Sequence, residues 1–231
     1  MPQRRTITTR VPIRDSAYAK LRELLIAGQL APGDKVSPRE LAAQLEVSPM
    51  PVREAVQRLA AEGALVVRPQ SGARVPFMTR NRFIELTTIR IALEGMAAAR
   101  AAKSASLAEL AAIEQHLVRL QVSAARARPD PAVVISGNQR LHFAIYRSAR
   151  MPVLMSLIEG LWLQIGPVLN LDLRSSTERL AKLGAHEHHA LLVKSLAHRD
   201  SNGARRGLVG DIESAAAHIL SLDRLPDKED R

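Results

Sequence analysis

Two closely spaced serine-proline pairs, Ser37-Pro38 and Ser48-Pro49, constrain this chain more than any other feature. A serine at a helix N-cap accepts from the otherwise unpaired first amides, and proline fits the first helical position, where no amide is needed. Ser37-Pro38-Arg39-Glu40 also carries the acid of a capping box, so one short helix runs from there through Leu41, Ala42 and Leu45. Val47 closes it, and Ser48-Pro49 opens the next, through Val52, Val56 and Leu59 to Gly63. Upstream, Ala17, Leu21, Leu24 and Leu25 recur at helical spacing, which predicts a helix over 14–28 ending on Gly28, with a turn at Leu30–Asp34. Downstream, Leu65–Pro69 and Ala73–Val75 flank Gln70-Ser71-Gly72 and read as a β-hairpin. Three helices with a tight turn between the last two, followed by a hairpin, make a winged helix-turn-helix.

Beyond Arg82 the texture changes to long Ala, Leu and Ile patterns of helical period without strand alternation. Breaks at Lys103–Ser106, Arg128–Pro131, Met151-Pro152, Gly166-Pro167, Ser175–Thr177 and Asn202-Gly203 divide it into a bundle of about six helices. The expected fold class is therefore mainly α, with the division 10–76 winged helix-turn-helix, 77–81 linker and 82–225 all-helical domain. Two units fit 231 residues, since domains typically hold about 100–150. With no cysteine, disulfide frameworks, thiolate metal sites and cysteine nucleophiles are excluded. The N-terminal segment is basic but lacks an apolar stretch, and no run of about 18 uncharged apolar residues occurs, so a cytoplasmic chain with no membrane partner is expected.

Charge points to the partner. Residues 1–82 hold 14 Lys and Arg against 7 Asp and Glu, a surplus of 7 out of the chain's net +10. A basic excess confined to one unit is the footprint of a polyanion binder. Three Phe, two Tyr and one Trp supply few stacking platforms for single strands, so double-stranded DNA is the expected ligand. The N-terminus of the second helix of such a motif enters the major groove, which brings Ser48, Met50, Pro51 and Arg53 to base edges. Arg53 offers a fork that matches guanine or a phosphate, and Met50 an apolar contact to a thymine methyl. Arg39 reaches groove or backbone from the preceding helix, and Gly72 with Arg74 reaches the minor groove from the wing.

These residues carry a family resemblance. Tyr18-x-x-Leu-Arg, Gly28-Gln-Leu-Ala-Pro-Gly33, Leu41-Ala-x-x-Leu-x-Val-Ser48, Pro51-Val-Arg-Glu-Ala55, Leu59-x-x-Glu-Gly63 and Ser71-Gly-Ala-Arg-Val75 resemble the winged helix of GntR-family bacterial transcription regulators. The resemblance covers 14–76 and implies operator contacts from Arg39, Ser48, Arg53 and the wing around Gly72. Many members carry arginine where this chain has Pro49. Thr88-Ile-Arg90-Ile-Ala-Leu-Glu94 is similar to the opening of the FCD domain of the FadR subfamily. That likeness implies a homodimer, a palindromic operator, a small organic-acid effector and a divalent-metal site.

The residues of the helical domain supply their own pointer to such a site. Asn138 and His142 share a helix face with Val134, Leu141 and Ile145; His189 shares one with Leu192, Val193 and Leu196; Asp211 shares one with Ala204 and Leu208. Four polar groups on three helices thus aim at one core, where unpaired polar atoms are costly. A cation would satisfy them, and the donor types suit Zn, Mn, Ni or Fe; a hydrogen-bonded cluster of the histidines with Asp211 is the alternative. The resemblance maps the family's ligand set onto the same four positions, with Asn138 where the family has Asp and Asp211 where it has its last His. Arg90 faces inward four residues before Glu94, as an effector clamp or as half of an ion pair. The run His186-Glu187-His188-His189 lacks the second His of a zincin motif, since position 190 is alanine. The function that follows is a DNA-binding regulator, a repressor under effector control, and not an enzyme. The alternative, a metal-dependent enzyme fused to a DNA-binding module, has only Glu159 or Asp172 as a general base.

Overall fold

The computed structural model describes residues 13–68, 72–185 and 187–228. Helix α1 (Ile13–Ile26), strand β1 (Lys35–Val36), α2 (Pro38–Gln44), α3 (Pro49–Ala61), β2 (Val66–Arg68) and β3 (Gly72–Arg74) build the N-terminal unit. Ser37 Oγ accepts from Glu40 N at 3.3 Å, which forms one of the two bonds of the expected capping box. Ser48 occupies the N-cap of α3 without a side-chain cap bond, so its hydroxyl stays available. Leu21, Leu25, Val52 and Leu59 close the core between α1 and α3.

The wing is three-stranded rather than a hairpin. β1, too short to show a period in sequence, pairs antiparallel with β3, which also pairs with β2, in the order β1-β3-β2. The turn expected at Gln70–Gly72 lies largely outside the described residues.

Seven helices follow among the described residues, where about six were expected: α4 (Arg80–Ser104), α5 (Leu107–Ala124), α6 (Pro131–Ser148), α7 (Pro152–Arg174), α8 (Thr177–Ala185), α9 (Glu187–Ala197) and α10 (Ser201–Ser221). The expected break at Gly166-Pro167 does not occur, and α7 runs straight through it. Proline removes one amide and its ring crowds the residue before it, but that residue is a glycine with no Cβ to clash. The break expected at Asn202-Gly203 falls earlier, where Arg199 takes a positive φ and Asp200 caps α10 by accepting from Gly203 N at 2.9 Å.

Helix α7 is long and apolar enough to cross a bilayer by length and composition, yet much of it is buried within the protein, and its second half lies along the seam between the two units. Gly166 lies against the end of α1, with Leu25 O and Ile26 Cα about 3.0 Å from where a Cβ would stand. One turn on, Asn170 Nδ2 donates to Ile26 O, and one turn further Arg174 Nη2 donates to Ala27 O at 3.2 Å. The end of α3 is held in the same way, since Gln164 Nε2 donates to Glu62 O at 3.3 Å and Arg82 Nη2 to Gly63 O at 3.4 Å. Terminal helix carbonyls have no intrahelical donor, and side chains of α7 and α4 supply one.

Gly28 completes this seam. Its φ is +60°, and a Cβ there would stand 2.3 Å from Asn170 Cβ. A left-handed backbone alone costs a residue with a side chain about 1–2 kcal/mol. Gly28→Ala is therefore expected to lower the urea-unfolding free energy by more than that, because the contact adds to the conformational cost. An unchanged unfolding midpoint would show that the seam does not depend on this approach.

Candidate functional site

The helix-turn-helix presents Arg39, Ser48, Met50 and Arg53 on its exposed side, with Pro51 partly covered. Arg53 forms no hydrogen bond or ion pair among the described residues and projects from the first turn of α3. Gly72 is exposed with φ +75°, and nothing lies within 4 Å of where a Cβ would stand. Arg74 is committed in part to its own unit, since Nη1 donates to Gly33 O at 3.2 Å. Arg68, exposed and directly across from Gly72 in the β2–β3 ladder, is a wing cation that the sequence reading passed over. Its signal was its place at the end of the strand leading into the turn.

In the helical domain the structure brings His142 of α6, His189 of α9 and Asp211 of α10 together. Nε2 of His142 lies 3.3 Å from Nε2 of His189 and 3.4 Å from Asp211 Oδ2, and His189 Nε2 lies 3.2 Å from Asp211 Oδ1. One ligand atom from each falls within 4.8 Å of the others. Asn138, one turn before His142, lines the same pocket, and its Oδ1 is buried without a hydrogen-bond partner among the described residues. Burial alone would raise the Asp211 carboxyl, but the His189 charge and hydrogen bonds from both imidazoles outweigh it and hold the group well below the usual carboxylate range.

A second buried cluster fixes the orientation of the first. Glu94 of α4 is fully buried and accepts from Arg90 Nε at 2.6 Å, Arg90 Nη2 at 3.3 Å, Trp162 Nε1 at 3.2 Å and Tyr146 Oη. Burial and the neighbouring Glu94 charge push the Tyr146 phenol well above its ordinary value, so it keeps its proton. That single proton goes to Glu94. The contact of 2.9 Å between Tyr146 Oη and His142 Nδ1 must then use the imidazole as donor. The other ring nitrogen, Nε2, is turned toward Asp211 Oδ2, 3.4 Å away. His142 Nε2, His189 Nε2, the Asp211 carboxylate and the unpaired Asn138 Oδ1 are thus gathered at one pocket. Such a set fits a divalent cation, with Tyr146 as the group that sets the ligand's tautomer.

Arg90 lines the pocket, but its Nε and Nη2 are engaged by Glu94, and its guanidinium lies 5.3 Å from the Trp162 ring centre. Burial would lower its pKa, and Glu94 more than offsets this, so it remains charged. The ion pair considered from the sequence is therefore formed. Of the two carboxylates weighed as enzymatic bases, Glu159 is tied to Arg22 at 2.9 Å, and Asp172 lies between Arg179 Nε at 3.0 Å and His218 Nε2 at 3.2 Å. His186 lies outside the described residues.

The model of the bacterial regulatory proteins of the gntR family matches residues 13–75, and that of the FCD domain matches residues 85–214. The HTH-type transcriptional regulator McbR of Escherichia coli is 35% identical over 189 residues, covering 81% of this chain and 84% of that protein. The chain belongs to the GntR family. It is a DNA-binding transcriptional regulator with a helical FCD domain. A solved structure of E. coli McbR/YncC superposes with a TM-score of 0.85 at 30% identity, covering 93% of this regulator and all of that chain. The HTH-type transcriptional repressor RspR of E. coli is 25% identical, covering 91% of this regulator and 90% of its own length. These relatives are transcriptional regulators and not enzymes.

The Glu94 cluster generates a test of its own. Removing one partner of a buried ion pair leaves the other uncompensated, at a cost of about 3–5 kcal/mol. Glu94→Ala is expected to destabilise the GntR-family regulator on that scale in chemical denaturation. A loss below 1 kcal/mol, on the order of a single surface change, would mean that Arg90 finds another partner.

Proposed function

We propose that this regulator is a cytoplasmic homodimeric repressor whose affinity for a palindromic duplex operator is set by a small carboxylate bound in the FCD pocket. The observation that carries this reading is the position of Asn170. Its side chain lines the pocket that also holds His142, Asp211 and Asn138, and it donates to Ile26 O, the last carbonyl of α1. A ligand that shifts α7 acts on the DNA-binding unit with no intervening element.

Operator contact is assigned to Arg39, Ser48, Met50, Pro51 and Arg53, with Gly72 and Arg74 of the wing. Asn138, His142, His189 and Asp211 would hold the cation, whether Zn, Mn, Ni or Fe. When bound, it would supply Lewis-acidic positions for an oxygen donor of the effector. Arg90, which lines the pocket, is held against Glu94 and stabilises the site through that ion pair. The effector biases two dimer geometries by no more than its difference in affinity for them. The repressor direction follows that of the related E. coli transcriptional repressor RspR. Dimerisation is supported by exposed apolar side chains of the kind a subunit interface covers, among them Val118, Val122 and Leu157. For an enzymatic reading, Asp172 is a poor base, because its carboxylate is held between Arg179 Nε and His218 Nε2.

An operator selected from random duplexes provides the test. Arg53→Ala is expected to weaken binding to it by about 1–3 kcal/mol in fluorescence anisotropy if the side chain reads a base; an unchanged isotherm removes that role. Separately, zinc added to chelator-treated protein is expected to raise the thermal midpoint, since a ligand of the folded state stabilises it. His189→Ala should abolish that rise. If the variant still responds fully to zinc, the four-residue assignment is wrong.

A further inference from the structure

Two arginines line the effector pocket, and they are not equivalent. Arg90 is closed off by its bidentate bond to Glu94. Arg179, in the first turn of α8, has only Nε engaged, by Asp172 Oδ2 at 3.0 Å. Its Nη1 and Nη2 donate to nothing among the described residues, and its side chain is 14% exposed. The acceptor that holds Nε is itself fixed, because Asp172 Oδ1 meets His218 Nε2 of α10 at 3.2 Å. One edge of the guanidinium is thus pinned while the parallel pair of donors that matches a carboxylate is left open.

The position is also unfavourable for a cation by local rules, since the first turn of a helix is the positive end of its dipole. A basic side chain held there by a dedicated carboxylate, beside a pocket, is better explained by a ligand than by helix stability. The enclosed cavity is small, about 50 Å³, and continues into an open mouth. Its walls come from α6 and α10 at the His142 and Asp211 end, and from α7 and α8 at the Asp172 and Arg179 end.

We propose that Arg179 anchors one carboxylate of the effector while a second acidic group of the same molecule is held at the His142–Asp211 end, so that the effector is a small dicarboxylate. This rests on the effector reading above and adds to it the anchoring residue and the requirement for two acidic ends. The role of Asp172 is to aim the guanidinium.

The experiment is calorimetric titration of zinc-loaded full-length protein with malonate, succinate and glutarate, each compared with the monoacid of equal carbon number. At least one diacid is expected to bind ten-fold or more tightly than its monoacid. Arg179→Gln should weaken that diacid by ten-fold or more and erase its advantage, with Arg179→Lys intermediate and with the zinc affinity of both variants within two-fold of the parent. The zinc isotherm also reports that the variants are folded. The proposal is overturned if no diacid outbinds its monoacid, or if Arg179→Gln leaves the advantage intact. A zinc titration without acid reads the metal site by itself. Should zinc fail to bind, the metal reading falls, and the same comparison on metal-free protein decides Arg179.

Discussion

A helix ends on carbonyls that its own backbone cannot satisfy, and in this regulator those of α1 and α3 are satisfied by another domain. Asn170 and Arg174 donate to the end of α1, and Gln164 and Arg82 to the end of α3. The orientation of the recognition helix is therefore fixed by side chains of the helical domain, through hydrogen bonds that water would otherwise make. Close approach makes this possible, because Gly28 and Gly166 leave no side chain between α1 and α7. The pocket lining and the DNA-binding unit meet at this seam, in Asn170.

The second organising constraint is the direction of protons in the core. Glu94 gathers four donor bonds and has none to give. That sends the Tyr146 proton to Glu94 and makes His142 donate from Nδ1, with Nε2 turned toward the Asp211 carboxylate. The orientation of His142 is thus set by Glu94, on a helix that places no side chain in the His142–His189–Asp211 cluster. With Asn138 where the resembled family pattern has Asp, and Asp211 where it has His, the single carboxylate of the cluster stands on α10, where both histidines face it.

Much of this was legible in the sequence because it depends on local rules. Serine-proline pairs start helices wherever they stand, and Gly28 marked the end of α1 by the same logic that lets Asn170 approach it. The inward faces of α6, α9 and α10 followed from helical period, and that was enough to gather His142, His189 and Asp211. What escaped was set by tertiary contact. Gly166-Pro167 looks like a break until α1 is seen lying on the glycine, and β1 is too short to carry a pattern. Tyr146 stands four residues after His142, and Arg90 four before Glu94, but only the fold shows that the two pairs form one network. Arg179 belongs to a short helix whose role depends on Asp172, a residue of its neighbour.

The sharing of Asn170 between pocket and seam bears on how such a protein can be recombined. Its DNA-binding unit is not an interchangeable module joined at a linker, because the partner of Asn170 is the backbone at the end of α1 and the space for it is the missing side chain of Gly28. A chimera cut at the linker keeps the pocket and the operator contacts yet loses the register between them unless the incoming helix ends on the same left-handed glycine. The natural seam for exchange runs along α7, through the interior of the molecule.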